Sequence, residues 1–192
     1  AKQKVLLNSM KGIETLSRVD VLCVDKTGTI TENKMAVRQL LPVADQKEFA
    51  LEALSNYLEA SQDANDTIET LRAYPGLEKS GQAWSIKRQY PFSSKNKYAA
   101  VSFDQGTFVL GAPEYVLRQD LEHYQSYFQD AAEEGSRVLV FGLYEGSNLE
   151  ANLEAPVSPL LFILLENPVR ENAAETFSYF ERQGVTVKVI SG

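Results

Sequence analysis

The spacing of apolar and polar positions changes several times along the chain, and each change marks an expected element. Val19-Asp20-Val21-Leu22-Cys23-Val24 is a short apolar run ending at Asp25 and reads as a buried strand. Met35–Leu41 reads as a strand, Gln46–Leu58 as a helix, and Thr67–Tyr74 as a second helix capped near Asp66. Trp84–Phe92 alternates, and Tyr98–Phe103 with Thr107–Gly111 forms a hairpin around Asp104-Gln105-Gly106. Helices are expected at Pro113–Arg118 and Leu121–Glu134, with Tyr124, Tyr127 and Phe128 as a core stripe. A strand at Arg137–Tyr144 and a polar surface loop at Gly146–Ala155 follow. The closing stretch reads as strand Pro159–Leu165, helix Glu171–Arg182, a stop at Gly184 and strand Val185–Ile190. Helical spacing puts Ala173, Ala174, Phe177 and Phe180 of that helix on one face.

The final strand-helix-strand order favours a parallel sheet. The middle order suits an antiparallel sheet with helices packed against it. The middle therefore behaves as an insertion, residues 34–158, between two flanking pieces, 1–33 and 159–192.

Composition narrows the function classes. The 192 residues, 44% hydrophobic and 23% charged, suffice for one large domain or two small ones. A net charge of -7 without a basic run argues against nucleic-acid binding. The single cysteine, Cys23, forms no internal disulfide and is expected to be a small buried core residue. No apolar run reaches membrane-helix length, the best being Leu160–Leu165, and there is no signal peptide. No direct membrane insertion is expected of this chain.

The chemistry gathers at Asp25-Lys26-Thr27-Gly28-Thr29-Ile30-Thr31. A carboxylate at a strand's C-terminal end, followed by a Thr/Gly loop, is a good phosphoryl acceptor. Loop amides hold phosphate oxygens, Lys26 brings positive charge, and the carboxylate is the nucleophile. Asp-Lys-Thr-Gly by itself also suits a strand-ending turn. The full stretch resembles the D-K-T-G-T-[LIV]-T signature of P-type ATPases, the ion pumps that pass through an aspartyl-phosphate.

That resemblance implies an α/β chain. Its flanks would form part of a Rossmann-like phosphorylation domain of the haloacid-dehalogenase type, interrupted by an inserted α+β nucleotide-binding domain. It makes Asp25 the nucleophile, with Lys26, Thr27 and Thr29 as helpers, and ATP and Mg²⁺ as ligands. Mg²⁺ would be held by Asp25 and the main-chain carbonyl of Thr27. Related phosphatases usually carry an aspartate acid-base two residues after the nucleophile. Thr27 holds that position here, so a longer-lived phosphoenzyme and a pump cycle are expected.

Within the insert, Phe92-Ser93-Ser94-Lys95-Asn96-Lys97 resembles the family's F-S-S-x-x-K element. Phe92 would stack on adenine, with Lys97 beside the nucleotide. Gly111-Ala112-Pro113-Glu114 resembles K-G-A-P-E, with Leu110 in the lysine position; a hairpin exit before a proline-started helix explains the same residues. Arg137 stands where the family has a phosphate-reaching arginine. Thr67 matches part of D-P-T-E, while Ile68 replaces the glutamate that would meet the adenine amino group.

Asn167-Pro168-Val169-Arg170 resembles the D-P-x-R hinge, which brings Arg170 to the phosphate side of the nucleotide. Ser191-Gly192 resembles the start of T-G-D, whose aspartate would follow the last residue. The expectation is a cytoplasmic fragment that binds ATP without efficient phosphorylation. Its parent would be an integral membrane pump whose transmembrane and actuator domains are its partners. F-S-S and G-A-P-E favour the branch that pumps hard cations or protons. A haloacid-dehalogenase phosphatase with a large cap and a non-catalytic nucleotide-sensing module are the rival readings.

Overall fold

A computed structural model describes residues 14–15, 18–77, 83–146, 149 and 152–190. The chain divides into two units, Ala1–Lys34 with Asn167–Gly192, and Met35–Glu166.

The larger unit is built on a six-stranded sheet of order β2-β7-β6-β5-β4-β3, antiparallel throughout. Its strands are β2 (Ala36–Pro42), β3 (Ile86–Tyr90), β4 (Tyr98–Phe103), β5 (Gly106–Gly111), β6 (Arg137–Tyr144) and β7 (Val157–Glu166). The helices are α1 (Lys47–Ala60), α2 (Asp66–Arg72), α3 (Pro113–Val116), α4 (Leu121–Tyr124) and α5 (Gln129–Glu133).

One sheet face carries Val101, Phe103, Phe108, Leu110, Phe141, Leu161 and Ile163 against Ala50, Ala53, Leu54, Tyr57 and Leu58 of α1 and Ile68 and Leu71 of α2. These α1 positions recur at helical spacing, which gives that helix one apolar face. The opposite face packs Tyr98, Ala100, Val109, Val140 and Phe162 with Val116 and Leu117. With both faces covered, the central strands read as nearly continuous apolar runs.

Two local expectations change here. Gly146–Ala155 is not a purely polar surface loop, because Leu149 and Leu153 are buried in the second core. The Arg118 guanidinium donates to the carbonyls of Leu153 and Ala155, holding this segment to the end of α3. Leu121–Glu134 is not one helix: it breaks at Gln125–Tyr127, and Phe128 adopts φ -138°. Its rings still cluster, since Tyr124, Tyr127 and Phe128 all face Phe162, with Tyr127 left exposed.

The smaller unit contains β1 (Val21–Asp25), α6 (Ala173–Arg182) and β8 (Thr186–Ile190), with β1 and β8 paired in parallel. β1 is not a buried strand. Val21, Cys23 and Asp25 are exposed and alternate with half-buried Leu22 and Val24. No described element covers the first of these faces, so Cys23 is an exposed thiol rather than a core residue. Ala173 is buried and Phe177 and Phe180 half-buried, whereas Ala174 faces outward.

The boundaries of the insertion also move. Pro159–Leu165 was expected to belong to the parallel unit, but β7 lies between β2 and β6. Antiparallel ladders on both sides satisfy its backbone, so the division falls after Glu166 rather than Ser158, and after Lys34 rather than Asn33.

Candidate functional site

In the larger unit, a cavity of about 720 Å³ opens at one end of the inner strands β4, β5 and β6. Its lining includes Thr67, Phe92, Lys97, Gly111, Ala112 and Arg137, drawn from α2, the β3–β4 turn, the end of β5 and the start of β6. Tyr57, Ile68, Ala99, Leu110 and Leu139 supply apolar wall, and Asp63, Asp66 and Glu114 supply carboxylates.

Local bonds explain how several of these residues are presented. Ser93 Oγ accepts the amides of Lys95 and Asn96 at 3.3 and 3.4 Å, and the Lys97 amide donates to Ser93 O at 2.7 Å. Lys97 is thereby turned into the left-handed region at φ +59°. Phe92 is 44% exposed, so its ring is available rather than spent on the core. Its amide donates to the Asp63 carboxylate at 3.2 and 3.3 Å, across 29 residues of chain. Asn65 caps α2 by accepting the Ile68 amide at 3.0 Å. Gly111 is needed for close approach, since a Cβ there would meet Tyr98 Cβ at 2.5 Å and Lys97 O at 2.6 Å.

Leu110 and Ile68, which stand where the resembling motifs have lysine and glutamate, are both buried core residues as well as cavity wall. Lys97 and Arg137 are the cations that line the cavity. Asp63 and Tyr57 escaped sequence reasoning. Asp63 has no local signature, because its role arises from a tertiary contact. Tyr57 sits on the apolar face of α1 and is fully buried, with no hydrogen-bond partner for its hydroxyl among the described residues. Burial, and behind it the charge of Asp63, pushes its phenol up from the ordinary value.

The smaller unit presents Asp25 at the exposed C-terminal end of β1. The next residues turn sharply: Thr27 at φ -77°, ψ 120° and Gly28 at φ 77°, ψ -9° are the central pair of a type II turn, which calls for glycine second. Buried Thr31 closes the loop. Its amide donates to Lys26 O at 3.1 Å, and its Oγ1 accepts from the Gly28 amide at 3.1 Å and donates to Lys26 O at 3.3 Å.

Arg170, expected on the phosphate side of a nucleotide, is turned onto this loop. Its Nε donates to Thr29 O at 3.0 Å, its Nη2 to Gly28 O at 3.1 Å, and its amide to Ile30 O at 2.9 Å. Asn167 Nδ2 reaches Glu32 O and Lys34 O at 3.3 Å, and the Glu32 amide donates to Pro168 O at 2.7 Å. Lys26 is half-buried and Thr29 exposed. Ser191 and Gly192 lie outside the described residues.

None of these bonds uses the Thr27 carbonyl, which leaves it and the exposed Asp25 carboxylate as oxygen donors in the loop. Two such donors suit Mg²⁺, a hard ion that keeps waters and takes phosphate oxygens. Among the described residues no group of three or more His, Cys, Asp and Glu forms a ready-made metal cage.

No profile of a known protein family matches the chain. Individual proteins do. A probable cation-transporting ATPase, exp7, of Streptococcus pneumoniae is 38% identical over 202 residues, covering 99% of this chain. Calcium-transporting ATPase CtpE of Mycobacterium tuberculosis is 36% identical over 200 residues, covering all of it. Over nearly its whole length the chain is similar to P-type cation-transporting ATPases.

It spans 24% of the length of each of these two relatives. Plasma membrane ATPase 1 of Saccharomyces cerevisiae is a more distant P-type relative, 28% identical over 215 residues, and the chain covers 22% of it. Among solved structures, a zinc-transporting PIB-type ATPase in an E2.Pi state shares the fold at a TM-score of 0.68 and 18% identity, over 92% of this chain and 26% of that one. The catalytic domain of the CPx-ATPase CopB-B, studied for changes upon nucleotide binding, matches at 0.62 and 12% identity, over 97% of this chain and 59% of that one. The mixed α/β P-type ATPase fold is thus common to relatives of low sequence identity.

Proposed function

We propose that this chain is the ATP-binding and phosphoryl-accepting portion of a pump that couples ATP hydrolysis to cation transport. The observation that carries the reading is the cavity of the larger unit, where an exposed aromatic, two cations and small-residue backbone converge beside apolar wall. A purine stacked on Phe92 buries its faces against the apolar lining, and its phosphates are drawn towards Lys97 and Arg137. Thr67, Gly111 and Ala112 border the same space.

In the smaller unit, an Asp25 carboxylate oxygen attacks the terminal phosphorus of ATP. One O–P bond forms, the bond to the bridging oxygen breaks, and ADP leaves with its electron pair. Lys26 and the hydroxyls of Thr27 and Thr29 lie in the same loop to meet phosphate oxygens. Mg²⁺ held by Asp25 and the Thr27 carbonyl would neutralise phosphate charge. Thr27 offers no carboxylate to activate water, which favours a phosphoenzyme that persists.

Among the described residues no helix is long and apolar enough to cross a membrane. Transport therefore needs membrane-spanning and actuator domains elsewhere in the parent, with this portion on the cytoplasmic side. A hard cation is the favoured cargo, in line with the calcium named for one relative.

An NMR titration of the chain with Mg-ATP, run beside Phe92→Ala, tests the nucleotide site. Stacking plus exposed polar contacts should bind with about 4 to 6 kcal/mol, a dissociation constant on the order of millimolar to tens of micromolar. Shifts should gather at Phe92, Lys97, Gly111 and Arg137 and need about tenfold more ATP in the variant. No binding at millimolar ATP would overturn the reading.

A further inference from the structure

The proposal for Asp25 leaves one question about the loop: what fixes its backbone while an anion arrives. Thr31 ties the loop from within. The ties from outside come from Arg170, 141 and 142 residues away in sequence from its two guanidinium partners. Together these ties occupy the carbonyls of Lys26, Gly28, Thr29 and Ile30, leaving that of Thr27 aside.

From this geometry we infer that Arg170 is a positioning residue for aspartyl phosphorylation, clamping the Gly28 and Thr29 carbonyls so that the loop holds its amides and the Thr27 carbonyl in fixed directions. The inference rests on the proposed role of Asp25. Peptide units are rigid planes, so fixing the carbonyl of Gly28 fixes the amide of Thr29, and fixing that of Thr29 fixes the amide of Ile30. Loop amides are the groups expected to receive phosphate oxygens. A guanidinium suits this task better than an ammonium, because its planar fork directs Nε and Nη2 at two adjacent acceptors at once.

The same bonds count against Arg170 as a nucleotide ligand. Two of its donor atoms are already spent on the loop, in the same unit as Asp25. The two roles differ kinetically: losing a ligand lowers ATP affinity, whereas losing a clamp lowers the rate of the chemical step at unchanged affinity.

The test is phosphoenzyme formation from labelled ATP in the full-length parent, as wild type, Asp25→Asn, Arg170→Ala and Arg170→Lys. Rate constants, final phosphoenzyme levels and the ATP concentration for half-maximal rate are read for each. Arg170→Ala should lower the rate constant by about 10- to 100-fold, the penalty for misplacing a reacting group by about 1 Å, with half-maximal ATP within about twofold of wild type. Arg170→Lys should recover only part of the rate, and in the 192-residue chain both variants should shift the Thr29 and Ile30 amide resonances.

An unchanged rate constant overturns the clamp. So does a raised half-maximal ATP at unchanged rate, which returns Arg170 to the nucleotide. A lower phosphoenzyme level at unchanged rate constant also overturns it, since that marks loss of folded pump. If Asp25→Asn still forms the phosphoenzyme, the underlying assignment of the nucleophile fails instead.

Discussion

In the unit Met35–Glu166, candidate ligand residues surround the end of a sheet packed on both faces, and its central rings, Phe108, Phe141 and Phe162, are fully buried. In the unit that carries Asp25, alternate residues of β1 and most of β8 are exposed, and the candidate loop is held by hydrogen bonds between its backbone and the Thr31 and Arg170 side chains. The larger unit thus backs its site with a packed core, on which local hydrogen bonds present Phe92 and Lys97, whereas the smaller holds its loop by polar contacts along a few residues. A packed site fails through cavities and overpacking, which cost several kcal/mol. A hydrogen-bonded loop fails through lost orientation, which costs rate more than stability.

Core truncation should separate the two most strongly. Phe108 has no exposure and lies within 6.2 Å, ring to ring, of Phe49, Trp84, Phe103 and Phe141. Phe108→Ala should cost about 3–5 kcal/mol in urea unfolding. Val24→Ala, at a half-buried position of β1, should cost about 1 kcal/mol. Equal losses would refute the distinction.

Glycine replacement gives the next largest effect. Gly111→Ala drives a Cβ into the backbone of Lys97 and Tyr98 and should cost about 3 kcal/mol, with ATP binding lost as the cavity wall shifts. Gly28→Ala meets no contact closer than 3.3 Å, so the left-handed φ of +77° is its main penalty, about 1–2 kcal/mol.

Phe92→Ala should leave stability within about 0.5 kcal/mol, since the ring is exposed, yet weaken ATP by about tenfold through lost stacking. A large stability loss would mean that Phe92 belongs to the core.

The smallest effect at neutral pH is expected for Tyr57→Phe. It removes an unpartnered buried hydroxyl and should change stability by about 1 kcal/mol or less, in the stabilising direction. The folded phenol lies above its ordinary 10.0, so the folded state keeps this proton longer than the unfolded chain. Stability from this group is complete below about pH 10 and is lost as pH rises further, with a slope of about 1.4 kcal/mol per pH unit. Tyr57→Phe should flatten that alkaline fall in a pH series of urea curves.

Elements with a strong local period were readable in the sequence. The hairpin from Tyr98 to Gly111, strand Arg137–Tyr144 and helix Lys47–Ala60 all sit within a few residues of expectation, because turn chemistry and amphipathic spacing are local properties. Strand Val157–Glu166 was located in the sequence, but not its sheet. A continuous apolar run suits any strand buried on both faces, and only pairing with Ala36–Pro42 and Arg137–Tyr144 assigns it to the larger unit. Cys23 failed for the opposite reason, since an apolar run does not say whether anything covers it.

The candidate loop was legible as chemistry because its turn and its Thr31 closure act across three to five residues. What the amino-acid order determined, then, is the local part: the carboxylate at the end of the first strand, the glycine turn behind it, the Phe92–Lys97 segment and the α/β class. The tertiary structure alone decided that Asp63 holds the Phe92 amide, that Leu110 and Ile68 come together in one cavity wall, and that Arg170 reaches back to the loop. Those contacts join residues from 29 to 142 positions apart, and pairing at such distances depends on how whole elements pack rather than on the residues between them.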